Sequence, residues 1–368
     1  MPIAPPPSAP PFCPNPKCRF HRSDRGLWTF VRIGFYVRKA GPRRIQRYRC
    51  DTCRRRFSDQ TFSVTYWLHH PKLVVPVFHR LLGCSGFRQI AREHGVAHQT
   101  IGRISARLGR HALLFHQSRR PRGPIQEPLA LDGFESFEFS QYYPTSYHVA
   151  VGKDSHFFYG FTESECRRRG TMTEGQKRRR AALEEGLGRP DPGSIEKEVA
   201  TLLGIVAPQP QGLELHTDEH QAYPRAIRRN RHLTVDHRTI SSRAVRTARN
   251  PLFAVNLLDL LIRHSGSNHK RETIAASKRR ASAIERLLVF LVWRNWVKAF
   301  SENDGKHGAS AAMRLGLETR RLKPREILRR RLFPSRIELP ARWQVYYWRM
   351  TTTRMIPNCR VHALKYAA

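Results

Sequence analysis

The sequence predicts a mixed α/β fold in the middle of a 368-residue chain, with two small modules ahead of it. Three observations predict it. Two close cysteine pairs, Cys13/Cys18 and Cys50/Cys53, open the chain. Helical apolar spacing follows over residues 67–117. Beyond an Arg-Pro-Gly stretch the pattern turns to short alternating runs, then to strand and helix in turn, then to helices, the order of a sheet with covering helices.

Composition narrows the class of partner. Sixty-six Lys and Arg against 29 Asp and Glu leave a formal net charge of +37. Such an excess exceeds the needs of solubility and marks a chain that meets polyanions. A membrane-spanning reading fails: no run of 18 apolar residues exists, and the longest apolar helix, Leu287 to Trp296, is broken by Arg294 and Asn295. The opening MPIAPPPSAPPF lacks the charged and apolar regions of a secretory signal, so cytosol or nucleoid is expected. Seven cysteines suit a reducing compartment, where paired thiols bind metal.

The elements follow in order. Residues 1–11 are Pro-rich and expected to be disordered. Residues 12–66 hold Cys13-Pro-Asn-Pro-Lys-Cys18 and Cys50-Asp-Thr-Cys53. Two knuckles with two thiolates each supply the tetrahedron that Zn2+ requires, so a zinc ribbon with a two- or three-stranded sheet is expected. Arg43, Arg44, Arg47, Arg49, Arg54, Arg55 and Arg56 around the second pair suggest a phosphate-facing surface. Cys84, Cys166 and Cys359 are isolated and read as ordinary residues.

Residues 67–118 carry helix-turn-helix spacing. Ile90 and Ala91 pack inside the first helix, Gly95 makes the turn, and Val96, Ile101 and Ile104 anchor the second. That leaves His98, Gln99, Thr100, Arg103 and Arg107 to face a major groove, where Gln and Arg read adenine and guanine edges. A linker is expected at 119–126.

Acids are unevenly placed. Residues 1–126 contain only Asp24, Asp51, Asp59 and Glu93. Residues 127–165 contain Glu127, Asp132, Glu135, Glu138, Asp154, Glu163 and Glu165 against Lys153 alone. In so basic a chain this suggests a carboxylate-rich pocket where a divalent cation meets a phosphate backbone. Strands are expected through Leu129–Leu131, Tyr147–Val151 and Phe157–Phe161, with a turn at Gly152-Lys153-Asp154. Residues 167–192 read as a polar insertion with two Arg triplets. A helix capped by Ser194 is expected to Leu203, then a strand Leu213–Thr217 ending in Asp218, a helix to Arg229, and helices after Pro251. A carboxylate at a strand end is rigidly placed, and two from neighbouring strands can share a metal.

Zinc ribbon, helix-turn-helix, strand-borne Asp132 and then Thr217-Asp218-Glu-His-Gln-Ala222-Tyr223 together resemble the layout of bacterial insertion-sequence transposases of the acidic-triad type. The resemblance spans roughly residues 13–300. It implies an RNase H-like catalytic core over 127–302, followed by a basic helical tail over 303–368. Asp132 and Asp218 look like the first two acids. Asn256-Leu-Leu-Asp259, with Arg263, Arg271-Glu-Thr273 and Ser277-Lys278 beyond, matches the frame of the third, with Asp in place of Glu; Glu272 and Glu285 are the rivals. The resemblance implies Mg2+ or Mn2+ on Asp132, Asp218 and Asp259, strand cleavage by water, and strand transfer by the freed 3′-hydroxyl. Double-stranded DNA, at element ends and target, is the implied partner, and pairing two ends implies a homodimer or higher assembly. Arg263, His269, Lys270, Arg271, Lys278, Arg279 and Arg280 are expected on the DNA backbone, and His216 and His237 are either packed or donors near the acids. A non-catalytic DNA-binding regulator of the same descent is the alternative, and an RNA-binding zinc ribbon a third reading that the helix-turn-helix disfavours. The aromatic, basic tail from Arg329 to Trp348 is expected either to stack on bases or to wrap the core.

Overall fold

The computed structural model describes residues 9–22, 27–39, 44–270 and 273–355. Most of the segment expected to be disordered, together with Arg43, Arg271, Glu272 and Cys359, lies outside the described residues.

The chain begins with a three-stranded antiparallel sheet: β1 (Phe30–Val37), β2 (Arg44–Cys50) and β3 (Arg56–Ser58), in sequential order. Its inner side buries Cys13, Cys18, Trp28, Tyr48, Cys50, Phe57 and Phe62 as one cluster. Three helices follow, α1 (Val74–Leu82), α2 (Phe87–Glu93) and α3 (His98–Arg119). Val74, Val77, Phe78 and Leu81 recur at helical spacing on the buried side of α1. Ile90 and Ala91 of α2 and Ile101 and Ile104 of α3 are buried beside them. Gly95, at φ +61°, turns the chain between α2 and α3, a conformation that costs a side-chain-bearing residue more.

The middle of the chain is a mixed five-stranded sheet with helices. Its strands are β4 (Leu129–Phe137), β5 (Pro144–Gly152), β6 (Phe158–Glu165), β7 (Gln211–Thr217) and β8 (Leu233–Thr239), in the order β6-β5-β4-β7-β8. β4–β5 and β5–β6 are antiparallel; β4–β7 and β7–β8 are parallel. The inserted α4 (Glu174–Leu187) and α5 (Ser194–Val206) lie between β6 and β7, α6 (Ala222–Arg229) between β7 and β8, and α7 (Phe253–Ser265) after β8. Gly193 rather than Ser194 occupies the N-cap of α5, because the Ser194 hydroxyl donates to the Glu165 carbonyl. Pro251 sits ahead of α7 rather than in its first turn. β5 is buried almost throughout, which its run Tyr147-His-Val-Ala-Val151 suits.

α8 (Arg280–Val292) lies against α3. At their crossing a Cβ on Gly109 would stand 2.6 Å from the Glu285 backbone, so only glycine allows this approach. The N-terminal half of α3 packs with α1, α2 and Val289, and its Ala112–Phe115 join the sheet core. The stretch 119–126 is irregular but tied down: Arg120 donates to the Ile205 carbonyl, and the Ile125 amide to Gln211.

Short helices α9 (Ala311–Arg314), α10 (Pro324–Ile327) and α11 (Ala341–Tyr347) complete the fold. Trp343, Tyr346 and Tyr347 are buried in the sheet core, and Phe333 is buried among the cysteine-side aromatics. The tail aromatics therefore wrap the core. Among the described residues no helix is long and apolar enough to cross a membrane.

Candidate metal, catalytic and nucleic-acid sites

Two turns bring the cysteines together. The Cys18 amide donates to the Asn15 carbonyl, and the Arg54 amide to the Cys50 carbonyl. Among the described residues, these four thiols are the only group of metal-ligating side chains whose ligand atoms all lie within 4.8 Å of one another. Burial pushes the Cys13 thiol up. Burial acts on Cys50 in the same sense, yet the Cys53 and Thr52 amides and the Trp28 indole N–H, 3.2 Å from Sγ, pull it down to about 7. A buried, closed set of four soft donors fits a structural zinc.

The three aspartates expected to share a metal converge at one end of the five-stranded sheet. Asp132 lies within β4, Asp218 just beyond β7, which is parallel to β4 and paired with it, and Asp259 on α7, which packs across β4 and β5. Tyr223, from α6, links them. Its hydroxyl donates to Asp132 Oδ1 at 3.4 Å, and burial together with the charges of Asp132, Asp218 and Asp259 pushes its phenol well up. Asp132 is raised to about 6, chiefly by burial and further by Asp218, against the lowering effect of the Gly133 amide. Asp259 is raised to about 8 by burial and by Asp132. Its Oδ1 is buried without a hydrogen-bond partner. Asp218 instead accepts from the His220 amide. An unpartnered buried carboxylate oxygen beside a second carboxylate is a donor set that fits a hard divalent cation. The three do not close to within 4.8 Å as the thiols do.

A cleft opens over Asp132 and Asp259, and its walls are basic: Arg167, Arg168 and Arg169 from the insertion, Arg246, and Arg263 on α7. Arg246 is close enough to Asp132 to lower its pKa. Arg263 donates to the Glu135 and His269 carbonyls, which holds it at the rim. Lys270 is exposed, and so is Lys278, whose ammonium reaches the Phe139 carbonyl. That Arg167–Arg169 and Arg246 line the cleft was not readable from their positions in the chain, because they come from loops whose path only the fold determines. Tyr223 was visible in the motif, but its bond to Asp132 was not.

The acid-rich segment is not one pocket. Of its seven acids only Asp132 and Glu135 line the cleft. Glu127 caps the β5–β6 turn through the Asp154 and Ser155 amides. Glu138, Glu163 and Glu165 form a buried network with Arg280, at 2.6, 3.5 and 2.8 Å, joined by Arg342 and Arg354. These acids neutralise arginines, not a cation, since uncompensated burial of charge is prohibitive. Glu285 is likewise remote from the cleft: it pairs with Arg349 at 2.7 Å beneath α3. His216 bonds Glu214, and His237 bonds the Thr217 hydroxyl.

At the start of α3, His98, Gln99 and Arg103 are exposed and Thr100 is half-buried. Arg107 does not share that face. Its guanidinium donates to the Val64 carbonyl, and burial lowers its pKa to about 10. Arg88 and Arg92 of α2 are exposed on the neighbouring turns and add charge there.

No description of a known protein family matches this sequence, and no curated protein matches it. Among solved structures, the chain is similar to a chain in the cryo-electron-microscopy structure of the simian T-cell lymphotropic virus intasome in complex with PP2A regulatory subunit B56 gamma. Identity is 15%, the TM-score is 0.25, and the match covers 68% of this chain and 74% of that one. At that score the likeness carries no argument about fold or activity.

Proposed function

We propose that this protein is a metal-dependent DNA transposase with an RNase H-like core, which cleaves at element ends and joins them to target DNA by in-line phosphoryl transfer. The observation that carries the reading is that Asp132, Asp218 and Asp259, from two adjacent parallel strands and the helix after the sheet, all act on the Tyr223 phenol, with Asp132 and Asp259 lining a basic cleft. The strand order, three antiparallel strands continued by two parallel ones, with helices after the third, fourth and fifth, supports the RNase H-like reading.

Asp132, Asp218 and Asp259 are the residues that would hold Mg2+ or Mn2+. Bound there, the ion supplies charge neutralisation at the phosphate and a lowered pKa for the attacking hydroxyl. The chain's own groups do the rest. Arg169, Arg246 and Arg263 hold strand phosphates at the rim. Tyr223 fixes the Asp132 carboxylate. His98, Gln99, Thr100 and Arg103 reach duplex base edges, with Lys270, Arg271 and Lys278 on phosphates. The four cysteines hold a structural zinc.

The test is strand transfer with Mn2+ on the element's own terminal DNA, comparing wild type with Asp132→Ala, Asp218→Ala, Asp259→Ala and Glu285→Ala. Loss in the three aspartate variants and retention in Glu285→Ala is expected. A wild type that binds these ends but never cuts or joins them would replace this reading with that of a DNA-binding regulator.

A further inference from the structure

A second groove lies far from the aspartates in the sequence, between the β1–β2–β3 sheet and the loop that leads to α1. Tyr36, Arg38, Arg47, Arg56 and Trp67 line it, and no acid does. Three features mark this groove, in which the Trp67 ring meets the edge of Tyr66 at a centroid distance of 6.1 Å. Trp67 is 65% exposed, and its backbone is at φ +58°, a region a bulky residue rarely adopts without cause. Arg38 donates to Gln60 Oε1 at 2.6 Å and to the Leu68 carbonyl at 3.1 Å, and so pins the Trp67 loop to the end of β1. Arg56, which lines the groove, stands directly opposite Arg49 across the β2–β3 ladder, a like-charge pairing that costs the sheet some stability and that a phosphate over it would relieve. The acids of this module among the described residues are Asp51 and Asp59, and Asp59 is engaged by the Tyr48 hydroxyl at 2.9 Å.

We propose that this groove binds an unpaired strand of DNA, with the phosphates along Arg47 and Arg56 and a base stacked on Trp67. The chemistry selects a single strand over a duplex. An indole held in an exposed position gains from a base only where that base offers its face, and in a duplex both faces are covered by stacking. Arginines without acidic neighbours supply the sequence-independent grip that goes with it. For the proposed reaction this places a frayed or cleaved end on the first module while the duplex beyond it meets α3. The groove rests on the nucleic-acid part of that reading alone and needs nothing of the cleft's chemistry.

The experiment uses the full chain carrying Asp132→Asn, so that no strand is cut. Its zinc content and melting temperature are checked for each variant. Fluorescence anisotropy with a labelled dT strand of about 15 nucleotides is read at one fixed, moderate salt concentration for every variant, since a phosphate grip weakens as salt rises, with the matching duplex as competitor. A dT strand carrying 5-iodouracil is then photo-crosslinked and the attachment site is mapped. Trp67→Ala is expected to weaken dT binding about tenfold, the range of one lost base–aromatic stack. Trp67→Phe is expected to keep most of the affinity, duplex to compete poorly, and the crosslink to fall on Trp67. Unchanged affinity in Trp67→Ala, equal competition by duplex, or a crosslink elsewhere would overturn the proposal. If dT binds as expected while strand transfer by the wild type fails, the groove stands and the transposase reading falls.

Discussion

At the scale of single residues, the decisive contrast is between carboxylates that have a cationic partner and those that do not. Glu138, Glu163 and Glu165 meet Arg280, whereas Asp259 keeps an oxygen with no partner. Tyr223→Phe removes one hydrogen bond to Asp132; strand transfer should fall by about two- to tenfold, as expected for a bond worth ~0.5–1.5 kcal/mol, with DNA binding unchanged in a gel-shift assay. Glu285 gives a pH test. Burial raises it to about 7 in the folded chain despite Arg349 and Arg110, against an ordinary value of 4.5. A carboxylate whose folded pKa lies above its unfolded one binds its proton more tightly when folded, so its contribution to stability falls as pH rises from 4.5 to about 7 and is constant above. The stability of Glu285→Gln relative to wild type should rise across that window in urea titrations; a difference independent of pH would contradict the assignment. The four cysteines were legible from their paired spacing, because two short knuckles of thiolates supply one tetrahedron, whereas the three aspartates were singled out through the resemblance and not by spacing alone. The fates of Glu138, Glu163 and Glu165 were not legible, since the arginines that neutralise them come from segments more than a hundred positions away, and Glu127 is held instead by the Asp154 and Ser155 amides of a nearby turn.

At the scale of elements, periodicity carried most of the reading. The i, i+3, i+4, i+7 spacing located helices such as α1 because burial on one side imposes that period, whereas β5 and β6 are buried on both faces and β8 was not among the strands expected. Arg107 shows where periodicity stops: its position on α3 suits the outer face, but the Val64 carbonyl packed beside it turns it inward. The α3–α8 contact is the tightest helix crossing described above. Gly109→Ala should destabilise the fold by about 1–3 kcal/mol through overpacking against the Glu285 backbone, although alanine is the better helix former. Denaturant melts would check it, and a stabilised variant would mean the helices separate freely. In the first module, Cys50→Ser should abolish zinc in metal analysis and lower cooperativity of unfolding, since a broken tetrad leaves three thiols unable to close the site.

At the scale of the molecule, the sequence suggested modules in series, and packing joins them. α3 belongs to two cores, and the tail contributes to both the sheet core and the cysteine-side cluster. Trp343 lies in the sheet core and Phe333 among the cysteine-side aromatics. Arg331 donates to Phe62 and Thr61, and Ser335 bonds His21. Phe333→Ala should cost about 3–5 kcal/mol and expose the first module to limited proteolysis before the rest of the chain. Cleavage at the same rate as in wild type would show that the tail contacts add nothing there. None of this was legible, because a tail that stacks on bases and one that wraps a core share the same basic and aromatic composition.

His21 and Ser335 meet across 314 positions of chain. A growing polypeptide therefore exposes its cysteine module long before the segment that covers it has been made. The entropy of closing so long a loop is met late, and this contact belongs among the last to form. A nascent chain on the ribosome would carry thiols and basic strands without their cover, and only a chain translated past this strap would hold a finished first module.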